Sequence, residues 1–137
     1  MQALVTGIRW LLVPVSAVAV IAASVVAGRA AVALADRRCP TESLIGGSCV
    51  EPWHTSVVEA AIYGAVAVCV AGLVILPARI APQLQRTVAV LLFLAAVGCA
   101  GAAFVLTGWA DLLRPLLVAV PVGALALWWV WSRRPAR

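Results

Sequence analysis

The chain is 137 residues, one domain's worth, with 65% hydrophobic and 11% charged residues and a mean hydropathy of +1.11. Soluble domains run at about 45–50% apolar and about 25% charged, so the composition excludes a soluble globular enzyme, a disordered tail and a disulfide-dense secreted module. The formal net charge of +5 rests on ten arginines with no lysine, scattered at segment ends rather than gathered on one face, which speaks against nucleic acid as a partner.

Spanning the hydrocarbon core of a bilayer takes roughly 20 apolar residues in a helix. Four segments reach that length, about 10–34, 57–76, 87–106 and 112–131. The expected fold is an all-α integral membrane protein, a single transmembrane domain over 1–137 built as a four-helix bundle with short loops. Its primary partner is the lipid bilayer.

The first segment carries Arg9, a long apolar stretch and Ala33-Leu34-Ala35, which imitate a signal peptide with its cleavage site. The stretch exceeds the usual h-region and Arg29 interrupts it, so an uncleaved helix is expected. Pro14 bends it. Small residues recur every four positions, at Ala19, Ala23, Ala27 and Ala31, the spacing that lets helices approach closely in lipid.

The outer loop, about 35–56, contains Cys39 and Cys49 with Gly46 and Gly47 between them to turn the chain. Facing an oxidising compartment, the two cysteines are expected to pair as a structural staple. Two sharper chemistries use the same residues. One is a redox-active pair exchanging electrons with a quinone or a thiol. The other is a metal site of Cys39, Cys49 and His54, disfavoured by an unusual ligand spacing and the lack of a fourth ligand. Membrane thiol oxidoreductases of the disulfide-bond-formation and vitamin K epoxide reductase classes are also small four-helix bundles. They carry a Cys-x-x-Cys pair at a helix end, which this chain lacks, so helix number alone is shared. His54 beside Trp53 reads as a headgroup contact.

Ionisable groups within spans are functional candidates by default. Glu59 opens the second segment three residues after Ser56, a capping-box spacing, and the cap accounts for it without transport. Arg29 is expected near the outer interface, snorkelling or pairing with Glu59 or Asp36. Gly64, Ala67, Ala71 and Gly72 supply small residues to the second segment. Ala95, Cys99 and Ala103, with Gly98 and Ala102, supply them to the third, and Ala119 and Gly123 to the fourth. Cys69 and Cys99 are expected to stay free as small apolar residues. Asp111 reads as a cap for the fourth segment, with Pro115 in its first turn and Pro121 bending it.

Charge sets the orientation. One side holds Arg9, Arg79, Arg86, Arg133, Arg134 and Arg137 and no acid; the other holds Arg29, Arg37, Arg38 and Arg114 with all five acids. Six arginines against four place both termini in the cytoplasm of a bacterial inner membrane, with the outer loop extracytoplasmic. Trp128, Trp129 and Trp131 form an interfacial belt on the inner side, joined by Trp10, while Trp53 and Trp109 lie opposite.

No catalytic residue, cofactor site or metal site is expected. The role expected is a non-catalytic structural or accessory subunit packing against other membrane helices, in a hetero-assembly or a homo-oligomer. A thiol–disulfide oxidoreductase using Cys39 and Cys49 and a proton-coupled exporter using Glu59 are the alternatives.

Overall fold

The structure, a computed structural model, describes residues 2–45, 48–81, 84–107 and 113–133. Gly46, Gly47, Trp109, the expected cap Asp111, Arg134 and Arg137 lie outside them. Four helices dominate: α1 (Gln2–Asp36), α2 (Pro52–Ile80), α3 (Gln85–Thr107) and α4 (Leu113–Ser132). A one-turn 3-10 helix at Thr41–Ser43 and two short antiparallel strands, β1 (Leu44–Ile45) and β2 (Ser48–Cys49), fill the α1–α2 connection.

Each helix is long and apolar enough to cross a membrane, with mean hydropathies of 2.4, 2.3, 1.6 and 1.7 in chain order. Valine is a mediocre helix former in water, but in lipid an unpaired backbone group costs several kcal/mol, which forces the helix whatever the side chain. The helices are apolar around most of their circumference, yet only 11, 17, 6 and 11% of their most apolar windows is buried within the protein. A helix apolar all round must be covered by something other than water.

The helices overrun the expected segments. At 1.5 Å per residue, α1 with 35 residues is about 52 Å long and α2 with 29 about 43 Å, against roughly 30 Å of hydrocarbon. Arginine is a good helix former, so Arg9 and Arg79 end the apolar run without ending the helix. Pro77 lies within the last turns of α2, which closes with the Ala81 N–H on the Pro77 carbonyl at 3.0 Å.

Helix α2 is the hub. It packs along α1 on one side and against α3 and α4 on the other, and α1 packs principally on α2. The result is a three-helix cluster with a fourth helix leaning on it, rather than four equivalent corners. Contact pairs set the registers. Gly28 of α1 faces Ala65 of α2, and Val20 faces Gly72, so the two helices are antiparallel. Glu59 meets Arg114 and Arg79 meets Trp129, so α2 and α4 run parallel. Phe93 meets Gly123 and Arg86 meets Trp131, so α3 and α4 are antiparallel.

The core sits where α2, α3 and α4 converge towards the Arg79 end: Val74, Ala78, Ala89 and Ala126, flanked by Ile75, Phe93, Leu127 and Val130. Small residues do the work here, as close packing in lipid requires. The expected small-residue lines are only partly the packed ones. On α1 the line facing α2 runs through Ser16, Val20, Ser24 and Gly28, while Ala19, Ala23 and Ala27 are exposed. The two lines differ by one residue, about 100° of rotation, which spacing alone does not resolve. Ala95, Gly98 and Cys99 are likewise exposed, whereas Gly72 and Gly123 are packed.

Candidate functional site: a stapled cap and its surroundings

The connection between α1 and α2 is built as a cap. Helix α1 unwinds through tight turns in which the Arg38 and Cys39 N–H groups donate to the Ala35 and Asp36 carbonyls at 3.0 and 3.1 Å. Pro40, in an extended conformation, then leads into the 3-10 turn at Thr41–Ser43. The β1–β2 hairpin pairs Leu44 with Cys49 and Ile45 with Ser48 and returns the chain to its starting level. That return brings Cys49 to Cys39, and the two form a disulfide with a Cα–Cα distance of 6.0 Å. Glu51 is the N-cap of α2, and Pro52 occupies the first helical position, where its missing N–H costs nothing. The Glu51 carboxylate does not cap; it accepts a hydrogen bond from the Ser43 hydroxyl and ties the 3-10 turn to the helix start.

A second tie crosses from α1 to α2. His54 Nε2 lies 2.7 Å from the Asp36 carboxylate, with the His54 side chain 13% exposed and that of Asp36 56% exposed. The Trp53 indole packs edge-on to the His54 ring at 5.8 Å. Disulfide, hydroxyl–carboxylate bond and His–Asp pair thus fasten the cap at three points. Such an arrangement holds backbone in place. A histidine oriented by a carboxylate also serves catalysis when a nucleophile sits on its other nitrogen, and no such contact is made to His54 among the described residues. Nor do three His, Cys, Asp or Glu side chains gather into a metal-binding group among them.

The remaining expected site residues fall elsewhere. Ser56 is exposed in the second turn of α2, so the Ser56–Glu59 cap is corrected: Pro52 starts the helix a turn earlier. Glu59 reaches Arg114 of α4 at 3.7 Å, both side chains largely exposed. Arg29 makes neither expected pair, because Asp36 is held by His54 and Glu59 by Arg114. Its side chain lines an open groove of about 520 Å³ between α1 and α2, with Gly28, Asp36, Ile62, Ala65 and Cys69. Cys69 is half-buried and Cys99 exposed, both with free thiols.

The opposite end of the protein holds an assembly that sequence reading treats only as separate belts. The guanidinium carbons of Arg79 and Arg133 lie 4.7 and 3.9 Å from the centroid of the Trp129 ring. Arg86 lies 5.8 Å from the Trp131 ring and donates from Nη2 to the Trp131 carbonyl at 3.3 Å. Residue types signal an aromatic–arginine interface; which arginine meets which ring depends on three helix ends converging.

The chain matches no protein-family model, no curated protein and no solved structure.

Proposed function

We propose that the chain is a multi-pass protein of a bacterial inner membrane, with both termini cytoplasmic and the stapled cap extracytoplasmic, acting as a non-catalytic accessory subunit. Its working surface is the α1–α2 pair, which receives a helix from another membrane protein or from a second copy. One observation carries this reading. Beside the α1–α2 seam runs a groove of about 250 Å³ whose walls are almost entirely small, with Ala27 and Ala31 on α1 and Ala61 and Gly64 on α2. Helices associate in lipid where small residues let backbones approach, and α1 offers this surface because it packs principally on α2. The arginine bias supports the orientation. Ala35, within the signal-peptide-like triplet, is 4% exposed, which supports an uncleaved first span.

The other two readings draw no comparable support. An internal thiol relay would need Cys69 beside Cys39–Cys49, and Cys69 lies 17 residues beyond Pro52, about 25 Å along α2. Proton-coupled export needs a carboxylate deep in a span, and Glu59 stands in the second turn of α2, 3.7 Å from Arg114.

Cysteine crosslinking in native membranes tests the proposal. Ala27→Cys and Ala61→Cys, each with Cys69 and Cys99 replaced by alanine, are treated with a membrane-permeant bis-maleimide. A discrete adduct is expected at both positions, and none at Leu117→Cys on the highly exposed face of α4. Adducts of twice the chain mass identify a homo-oligomer; adducts of any other mass identify a hetero-assembly. No adduct at either groove position, or equal adducts at all three, contradicts the proposal.

A further inference from the structure

The arginine–tryptophan assembly at the end of α2, α3 and α4 has no place in the proposed helix-docking role. We infer that Arg79, Arg86 and Arg133, gathered around Trp129 and Trp131, form a binding site for the phosphate of an anionic phospholipid.

The argument starts from charge. Three guanidinium groups are brought together from the last turns of α2, the first turn of α3 and the residue after α4. Two of them contact the same indole ring. Like charges drawn together need a counter-charge, and among the described residues no acidic side chain lies at this end. The acidic residues among those described, Asp36, Glu42, Glu51 and Glu59, lie in or beside the α1–α2 connection at the other end of the helices.

Geometry points to the class of anion. Each guanidinium carries five N–H donors, and among the described residues these arginines donate one hydrogen bond, from Arg86 to the Trp131 carbonyl. The indole faces hold the cations by their quadrupoles without consuming donors. All three arginines are exposed, Trp129 is half-buried and Trp131 is 55% exposed. The site is therefore a set of outward-facing planar forks, which suit a tetrahedral oxyanion. Its position selects the source. Behind the arginines stand the tightly packed core residues Val74, Ala78 and Ala126, and the tryptophans mark the level where hydrocarbon gives way to headgroups. An anion bound here with its tail along the apolar helices is a lipid phosphate. Phosphate groups of anionic lipids attract basic residues at this depth.

The full chain, purified in a neutral detergent and presented with equimolar phosphatidylglycerol and phosphatidylcholine, is weighed by native mass spectrometry. Preferential retention of phosphatidylglycerol is expected. Arg79→Gln/Arg133→Gln should lower its bound fraction roughly tenfold, while Arg37→Gln/Arg38→Gln, which removes the same charge at the opposite end, should leave it unchanged. Equal loss in the two double variants shows a bulk charge effect and overturns the site; so does retention indifferent to either. Displacement of the lipid by millimolar inorganic phosphate overturns the lipid as ligand. A salt titration of the unaltered chain covers misfolding of the variants: the preference for phosphatidylglycerol should fade as sodium chloride rises towards 0.5 M on the order of the screening expected for an exposed charge site, and a salt-independent preference overturns the proposal.

Discussion

Gly123→Ala should destabilise the protein by about 1–3 kcal/mol, the range for overpacking an ordered interior. Gly123 is buried in α4, and a Cβ there would overlap the Cε2 and Cδ2 atoms of the Phe93 ring and stand 3.1 Å from Val70 Cγ1. Neither neighbour yields easily. Phe93 packs against the Val74–Ala78–Ala89–Ala126 core, and Val70 belongs to the hub helix, so displacing either spreads strain to α2 and α3 together. Gly98→Ala is the control, because nothing lies within 4 Å of its added Cβ. Alanine is also the better helix former by about 1 kcal/mol, so that change should be neutral or stabilising. Unfolding in mixed micelles of rising denaturing-detergent fraction, followed by tryptophan fluorescence, gives both differences. Phe93→Leu in the Gly123→Ala background should recover part of the loss. Equal stability of the two glycine variants would refute the placement of α4 against α3.

Opening the staple with Cys39→Ser/Cys49→Ser should cost about 3 kcal/mol locally; hydrogen exchange should speed up at the Val50 amide, bonded to Ser43 at 3.1 Å, and leave Ala78 unchanged, and uniform acceleration would refute a local role. A double-mutant cycle of Glu59→Gln and Arg114→Gln should give a coupling of roughly 0.2–1 kcal/mol, as for exposed pairs; a coupling several times larger would restore Glu59 as a functional carboxylate. Leu84 has φ 59° and is 64% exposed, so Leu84→Gly should relieve left-handed strain and stabilise by roughly 0.5 kcal/mol net of glycine's entropy, whereas destabilisation would contradict that backbone.

The four apolar helices were legible because hydropathy over about 20 residues is a strong signal. Their ends were not. Arg9 and Arg79 bound the expected apolar segments, and the backbone has no reason to stop there. At the start of α2 two signals compete: Ser56 and Glu59 have capping-box spacing, but Pro52 after Glu51 starts the helix first. The Cys39–Cys49 bond was legible from two nearby cysteines with a pair of glycines between them, whereas the partners of Arg29, Asp36 and Glu59 depended on a competition among side chains from three elements. His54 and Arg114 occupy the carboxylates that Arg29 was expected to share. On α1, the spacing of four fits Ala19–Ala23–Ala27 as well as Ser16–Val20–Ser24, and only tertiary packing chooses the rotation.

The account rests on a chain that crosses the membrane four times with its cap outside, and the sidedness of thiols tests this most directly. In a Cys69→Ala/Cys99→Ala background, intact cells are treated with a membrane-impermeant maleimide before and after an impermeant reductant, and the protein is weighed. Two labels, on Cys39 and Cys49, should appear only after reduction, while Ser132→Cys at the end of α4 stays unlabelled until the cells are lysed. Labelling of Ser132→Cys in intact cells, or protection of the reduced cap, would contradict the account.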